Sequence, residues 1–305
     1  MDRRLRCFYI PKKKGSRKII TYSRYGQELK EYHKKVNAVL YKRLLPSKFA
    51  KAYIKGRSII SNAKAHMYNN EFLFYDIKDF FPSISHNLLV DKLYYEVNLN
   101  RKKIIPKTEC LDLVKSCSVS NKGLAQGLVL SPVLSNVYLK DFDNILYGKM
   151  KKTGLKRVIY TRYADDLIIS AKSMSEEQIQ EISKIIKETL SRFHLKLNHQ
   201  KTRHINIKKE KRVKITGINV VLKKNNYRSL TVGRRKIRDL YIEAISISQN
   251  KKGEEYNIAK NRLKGMMAFI ISIEGHDFER CLSRGMIEYI RSLGSKSLYD
   301  FILKL

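Results

Sequence analysis

Two adjacent aspartates stand in the middle of a largely apolar stretch, Val158 to Ser170, and no other feature of the 305-residue chain constrains its fold as much. The apolar runs on either side of Ala164-Asp165-Asp166 read as two buried strands joined by a tight turn. Adjacent carboxylates at a turn repel each other, and such strands place them on a core sheet rather than on a surface loop. A second acid repeats the anomaly: Asp76 lies in Phe72 to Ile77, a short apolar run that reads as a buried strand. Burying an unpaired carboxylate is costly. Both costs disappear if a divalent cation sits among the three acids, because hard cations take carboxylate oxygens and Mg²⁺ adds substrate phosphates to its shell. A solvated turn is the plainer reading of Asp165-Asp166 taken alone.

The charge distribution says what such a centre would act on. Lys and Arg number 63 against 28 Asp and Glu, a net charge of +35. That excess argues against a metabolic enzyme for neutral metabolites and for a polyanionic partner, whose counterions are released on binding. Residues 1–60 carry net +15 and residues 196–240 net +13, whereas residues 61–195 carry only +5. A near-neutral centre between two basic walls suits a cation site flanked by phosphate grips. Cys7, Cys110, Cys117 and Cys281 show no metal-ligand spacing and read as free thiols of a reducing compartment. The N-terminus has no signal-like apolar region, and the run Met266–Ile273 is too short to span a bilayer. A soluble intracellular protein with no membrane partner is the expectation.

Local patterns place the elements. Residues 6–22 read as a basic hairpin turning at Lys14-Gly15-Ser16, and Leu29, Tyr32, His33, Val36, Leu40 and Leu44 recur at helical spacing up to Pro46. Ser131-Pro132 predicts a helix start with Ser131 as cap, its buried face continuing through Val133, Leu134, Val137, Tyr138, Ile145 and Leu146 towards Gly154. Ser175 to Gln178 fits a capping box ahead of an amphipathic helix. A helical tail is expected from about residue 234. The sum is an α+β fold, a sheet with helices on one side followed by a helical bundle.

Tyr163-Ala164-Asp165-Asp166 resembles the YxDD signature of reverse transcriptases, and the resemblance runs in order along most of the chain. Phe74 to Ile84 looks like the first catalytic palm motif, Ala125 to Asn136 like the motif lining the nucleotide site, and Leu197-Asn198-His199-Gln200-Lys201-Thr202 like the LN..KT motif that follows. The resemblance implies a right-hand polymerase with fingers and palm, an antiparallel sheet plus helices, and a small helical thumb. Fingers and palm would occupy 1–230 (fingers about 1–70 and 85–125, palm about 71–84 and 126–230), and 231–305 the thumb and RNA-recognition region. It also implies that Asp76 and Asp165 hold two Mg²⁺ ions, with Mn²⁺ a substitute, supported by Asp166 and the Ile77 carbonyl. Phe81 falls at the steric-gate position that excludes a 2′-hydroxyl, although it also fits core packing beside Phe80. Gln126 and Gly127 would lie against the incoming dNTP, and Arg17 or Lys18 would grip its triphosphate, the sequence leaving the choice open. Lys201 sits where the family proposes a proton donor to pyrophosphate, a phosphate contact being the equal alternative. His33, His86 and His194 have no ligand spacing and read as helix or loop residues.

Two further motifs resemble bacterial retron reverse transcriptases: Asn62-Ala63-Lys64-Ala65-His66 matches their NAxxH signature, and Ile215-Thr216-Gly217 takes the place of their VTG triplet. That likeness implies an enzyme of the bacterial cytoplasm with its own structured non-coding RNA and DNA product as partners. DNA synthesis would be primed from a guanosine 2′-hydroxyl and give a branched RNA-linked single-stranded DNA (msDNA). Antiphage defence beside a retron effector protein is implied too. The chain runs 88 residues past Gly217, too few for a thumb plus a ribonuclease H domain, so template removal would fall to a host ribonuclease H. Asn62, His66, Arg234, Arg235, Lys236 and Arg238 are the expected RNA contacts, the last four on a basic helix with Tyr227, Tyr241 and Tyr256 interleaved. A thumb that grips any duplex is the alternative for that helix. Group II intron-like and CRISPR-associated reverse transcriptases are the neighbouring enzyme readings, and a non-catalytic RNA-binding scaffold is the rival of another class.

Overall fold

A computed structural model describes residues 2–11, 15–249 and 253–305. The expected turn residue Lys14 lies outside them. The chain forms two compact units, residues 1–206 and 207–305.

The first unit opens with an antiparallel hairpin, β1 (Leu5–Pro11) and β2 (Ser16–Tyr22), followed by α1 (Gln27–Arg43) and α2 (Ile59–His66). Next come β3 (Glu71–Lys78), the short α3 (Phe80–Ser83), α4 (His86–Asn98) and α5 (Lys107–Ser116). Then follow α6 (Ser131–Tyr138), α7 (Lys140–Met150), β4 (Ile159–Tyr163), β5 (Asp166–Ala171), α8 (Glu176–Arg192), β6 (Lys196–Leu197) and β7 (Arg203–Asn206). The central antiparallel sheet runs β4-β5-β3, with β6 and β7 pairing successive parts of the far edge of β3. Phe72 through Ile77 is buried throughout, as a continuous apolar run requires when a strand is covered on both faces.

Strand register sorts the residues onto faces, since directly opposed side chains share one. Tyr75 bonds Ser183 of α8 at 2.8 Å on the face backed by the large core, which includes Leu134, Phe142, Ile186 and Leu190. Asp76, Phe74 and Phe72 point the other way, and so do their β5 partners Asp166, Ile168 and Ser170. On that second face His66 of α2 bonds both Ser170 and Thr161 at 2.7 Å. Helices therefore lie on both faces, not one as the sequence pattern suggests, and Asp76 and Asp166 share the face that α2 packs on.

The expected long helix from Ser131 is interrupted at Leu139, whose backbone leaves helical geometry (φ −98°, ψ 5°) between α6 and α7. Ser131 is the first helical residue rather than the cap, and Ile145 is exposed at 36%. The capping box at Ser175 forms as expected, each of Ser175 and Gln178 bonding the other's backbone amide.

The second unit holds α9 (Ile207–Glu210), the antiparallel sheet of β8 (Arg212–Ile215), β9 (Ile218–Leu222) and β10 (Arg228–Thr231), and then α10 (Arg234–Gln249). It ends with α11 (Glu254–Glu274), α12 (Arg284–Ser292) and α13 (Leu298–Lys304) around a core of Ile237, Leu240, Leu263, Ile270 and Phe301. The division into compact units falls ahead of the separate sheet that residues 212–231 build. Thr216 (φ 44°) and Gly217 (φ 94°) make the two-residue turn of β8–β9, where both central residues must adopt positive φ.

Candidate active site

The three aspartates meet at one end of the central sheet. Asp76 lies directly opposite Asp166 in the β3–β5 ladder, and the Ile77 amide donates to the Asp165 carbonyl at 3.0 Å. Tyr163 pairs with Asp166 across a two-residue turn, so Ala164 and Asp165 form its tip. Ala164 sits at φ 57°, a strained conformation for a residue with a Cβ, and this turn is what carries Asp165 back beside β3.

Like charge and burial leave their mark on these groups. Burial holds the Asp165 carboxyl above the ordinary range, Asp76 adds to the effect, and Lys201 and Arg17 oppose it. Asp166 is solvent-exposed, yet the surrounding protein pushes its carboxyl up to about 6 by partial desolvation, and Asp165 and Asp76 add to the effect. Asp76 is almost wholly buried, at 6% exposure. Its two oxygens are taken by the LN..KT segment: Lys201 Nζ donates to Oδ1 at 2.6 Å and Asn198 Nδ2 to Oδ2 at 3.0 Å. The Asn198 amide also donates to the Asp76 carbonyl at 2.8 Å. Among the described residues no three His, Cys, Asp or Glu side chains stand grouped at ligand spacing. The donor set nevertheless fits a hard divalent ion, being all carboxylate oxygen and mutually repelling.

Besides Lys201, the residues expected at a nucleotide site come from three segments. Arg17 and Lys18 are exposed on β2 and point to opposite faces of the hairpin, and the charge of Arg17 reaches Asp165. The Gln126 carbonyl accepts from the Ile20 amide of β2 at 2.8 Å. Gly127 holds φ 118°, and a Cβ there would stand 2.5 Å from the Ile20 carbonyl oxygen. The close approach that this glycine permits is thus to the hairpin backbone. Phe81 is 7% exposed, with the Phe80 ring 5.3 Å away edge-on, and its carbonyl accepts from the Leu124 amide at 2.8 Å.

Of the expected RNA contacts, Asn62 and His66 are a correction. Both have 0% exposure, and His66 spends both ring nitrogens on Ser170 and Thr161. The NAxxH signature fastens α2 to β4 and β5; a fully buried imidazole cannot touch RNA. Arg234, Arg235 and Arg238 line an open cavity of about 850 Å³ with Asp239, Cys281 and Ser283. Lys236 turns away to lie over the Phe269 ring, 4.8 Å from its centroid.

Sequence reasoning missed the scaffold behind the acids. Arg162, next to Tyr163 on β4, is fully buried and pairs with Asp143 of α7 through two 2.9 Å bonds. It also donates to Asn136 Oδ1 at 3.0 Å, and Asn136 donates on to the Ala52 carbonyl at 3.0 Å. An arginine inside an apolar strand was the available signal, because a buried guanidinium demands a carboxylate.

The chain matches the family model described as reverse transcriptase (RNA-dependent DNA polymerase) over residues 10–220. It is 28% identical over 295 residues to the Retron Ec86 reverse transcriptase of Escherichia coli, covering 97% of this chain and 83% of that one. To the Retron Ec73 reverse transcriptase of Escherichia coli it is 30% identical over 302 residues, covering 94% and 89% respectively. Among solved structures, telomerase from Candida albicans in complex with a fragment of telomeric RNA is similar over 98% of this chain and 62% of that one, at 13% identity and a TM-score of 0.49. That last likeness is too slight to bear on function.

Proposed function

Because the chain belongs to the reverse transcriptase family as a bacterial retron-type member, and is an RNA-directed DNA polymerase, we propose that it copies part of its own structured non-coding RNA from a guanosine 2′-hydroxyl. The product is single-stranded DNA branched to RNA. The observation that carries the chemistry is the register pairing of Asp76 with Asp166, with Asp165 at the adjoining turn. Burial first, and then the neighbouring carboxylates, raise the proton affinity of Asp165 and Asp166, and a cluster of three carboxylates on an apolar sheet suits divalent cations.

Asp76, Asp165, Asp166 and the Ile77 carbonyl are the ligands in this reading. Two Mg²⁺ ions bound there would activate the attacking hydroxyl and stabilise the leaving pyrophosphate. The remaining work belongs to the chain's own side chains. Arg17, whose charge already reaches Asp165, takes the triphosphate. Gln126 and Gly127 hold the hairpin that carries Arg17 against the sheet, and Gln126 lines the nucleotide. Phe81 floors the sugar pocket, and Lys201 contacts phosphate once drawn from Asp76. Fingers and palm occupy 1–230 and the thumb 231–305. There Arg234, Arg235 and Arg238 grip the RNA backbone from the rim of their cavity.

The setting of this reaction is the bacterial cytoplasm, in defence against phage beside an effector protein and a host ribonuclease H. No described helix is long and apolar enough to cross a membrane. The test is the nucleic acid that co-purifies with the chain expressed beside its native flanking DNA. A discrete DNA band that shifts on 2′–5′ debranching and vanishes in Asp165→Asn is the expected result. Heterogeneous RNA without DNA would instead favour a group II intron-like or CRISPR-associated enzyme, or a silent scaffold.

A further inference from the structure

The Asp76 carboxylate is held from both sides by the segment that carries Asn198 and Lys201. Asn198 takes Oδ2 and ties its own amide to the Asp76 carbonyl, so it fixes the orientation of the carboxylate. Lys201 takes Oδ1 at 2.6 Å with a side chain 61% exposed to solvent. The two contacts differ in kind. Asn198 is anchored through backbone and side chain together, whereas Lys201 reaches in from water on a flexible stem. Its ammonium also feels Asp165 and Asp166, so it answers the same cluster of negative charge that a metal ion would answer.

We propose that Lys201 holds the place of a divalent cation on Asp76: ammonium and ion compete for Oδ1, while Asn198 keeps Oδ2 aimed in either state. This rests on the reading of Asp76 as a metal ligand. Without a counter-charge, three clustered carboxylates would repel one another and splay apart. Lys201 supplies that counter-charge and preserves the geometry into which the ion fits. It withdraws along its exposed stem when the ion arrives, free to meet nucleotide phosphates. The cost is weaker ion binding in the absence of nucleotide, which ties metal loading to substrate.

The competition has a signature opposite to structural damage, since removing the lysine charge must tighten metal binding. The experiment is a Mn²⁺ titration of the full chain, stripped of nucleic acid, followed by the electron paramagnetic resonance signal of the free ion. Lys201→Met and Lys201→Gln are each expected to bind Mn²⁺ about fivefold more tightly, the scale of a largely exposed ion pair. Lys201→Arg is expected to stay at the wild-type affinity, and Asp76→Asn to lose most of it. Unchanged or weaker binding in both neutral variants, with binding still lost in Asp76→Asn, would overturn the place-holding role and leave the metal site standing. Wild-type binding in Asp76→Asn would remove the metal reading itself, and the proposal with it.

Discussion

Arg162 and Asp143 form a bidentate ion pair in which neither side chain reaches solvent, Nε to Oδ1 and Nη2 to Oδ2 both at 2.9 Å. The pair joins α7 to β4 one residue before the turn that carries Asp165 and Asp166. Tyr160 adds a bond to Asp143 Oδ1 at 2.7 Å, and Asn136 extends the network to the backbone at Ala52. The acids thus stand on a rigid base, as preorganised catalysis requires.

Removing Asp143 alone would strand a buried guanidinium. Asp143→Ala is expected to lose about 3–5 kcal/mol of stability. The double variant Asp143→Leu with Arg162→Met should recover much of that loss by apolar packing. Urea unfolding of the three chains measures both effects, and a double variant no better than the single would refute the stranded-charge explanation.

His66 makes stability depend on acid. Burial lowers its pKa from 6.5 to about 3, and burial likewise lowers that of His33 to about 4. Below pH 6.5 the unfolded chain takes up protons that the native state refuses, so stability present at neutral pH is lost as pH falls through this window. His66 alone contributes a slope of at most about 1.4 kcal/mol per pH unit. Urea midpoints between pH 7 and pH 4 should fall, and His66→Gln should be less stable at pH 7 yet less sensitive to acid.

Gly127 permits its loop to pack closely against the Ile20 carbonyl of the hairpin. Gly127→Ala adds both a clash and strain at positive φ, with an expected loss of about 1–3 kcal/mol. The variant should also show a higher KM for dNTP, because Arg17 moves with its hairpin. An unaltered KM in a folded Gly127→Ala chain would argue that Arg17 does not hold the triphosphate.

Phe81 has two roles to separate, core packing beside Phe80 and exclusion of a 2′-hydroxyl. Phe81→Val is expected to raise ribonucleotide relative to deoxynucleotide incorporation on the same template. If only stability falls while that ratio is unchanged, Phe81 is a packing residue.

The acidic centre was legible from the sequence because its signal is local. A charge inside an apolar run, a two-residue turn and a capping box each lie within a few positions, as at Asp76, Ala164-Asp165 and Ser175. The break at Leu139 was not legible, because the apolar pattern continues across it and only packing decides where the helix bends. The same limit applies to the NAxxH segment, whose polar residues suggest exposure, whereas Ser170 and Thr161 hold His66 inside the protein.

By itself, then, the sequence determined the strands around the acids, the acids themselves and the basic segments that suit nucleic acid, since periodicity and charge are properties of neighbouring residues. The tertiary structure alone decided which oxygen of Asp76 meets Lys201, which side chain partners Arg162 and which face His66 occupies. Those choices join residues between 19 and 125 positions apart, and the cost of burying a charge or polar group is settled by whatever the fold brings beside it.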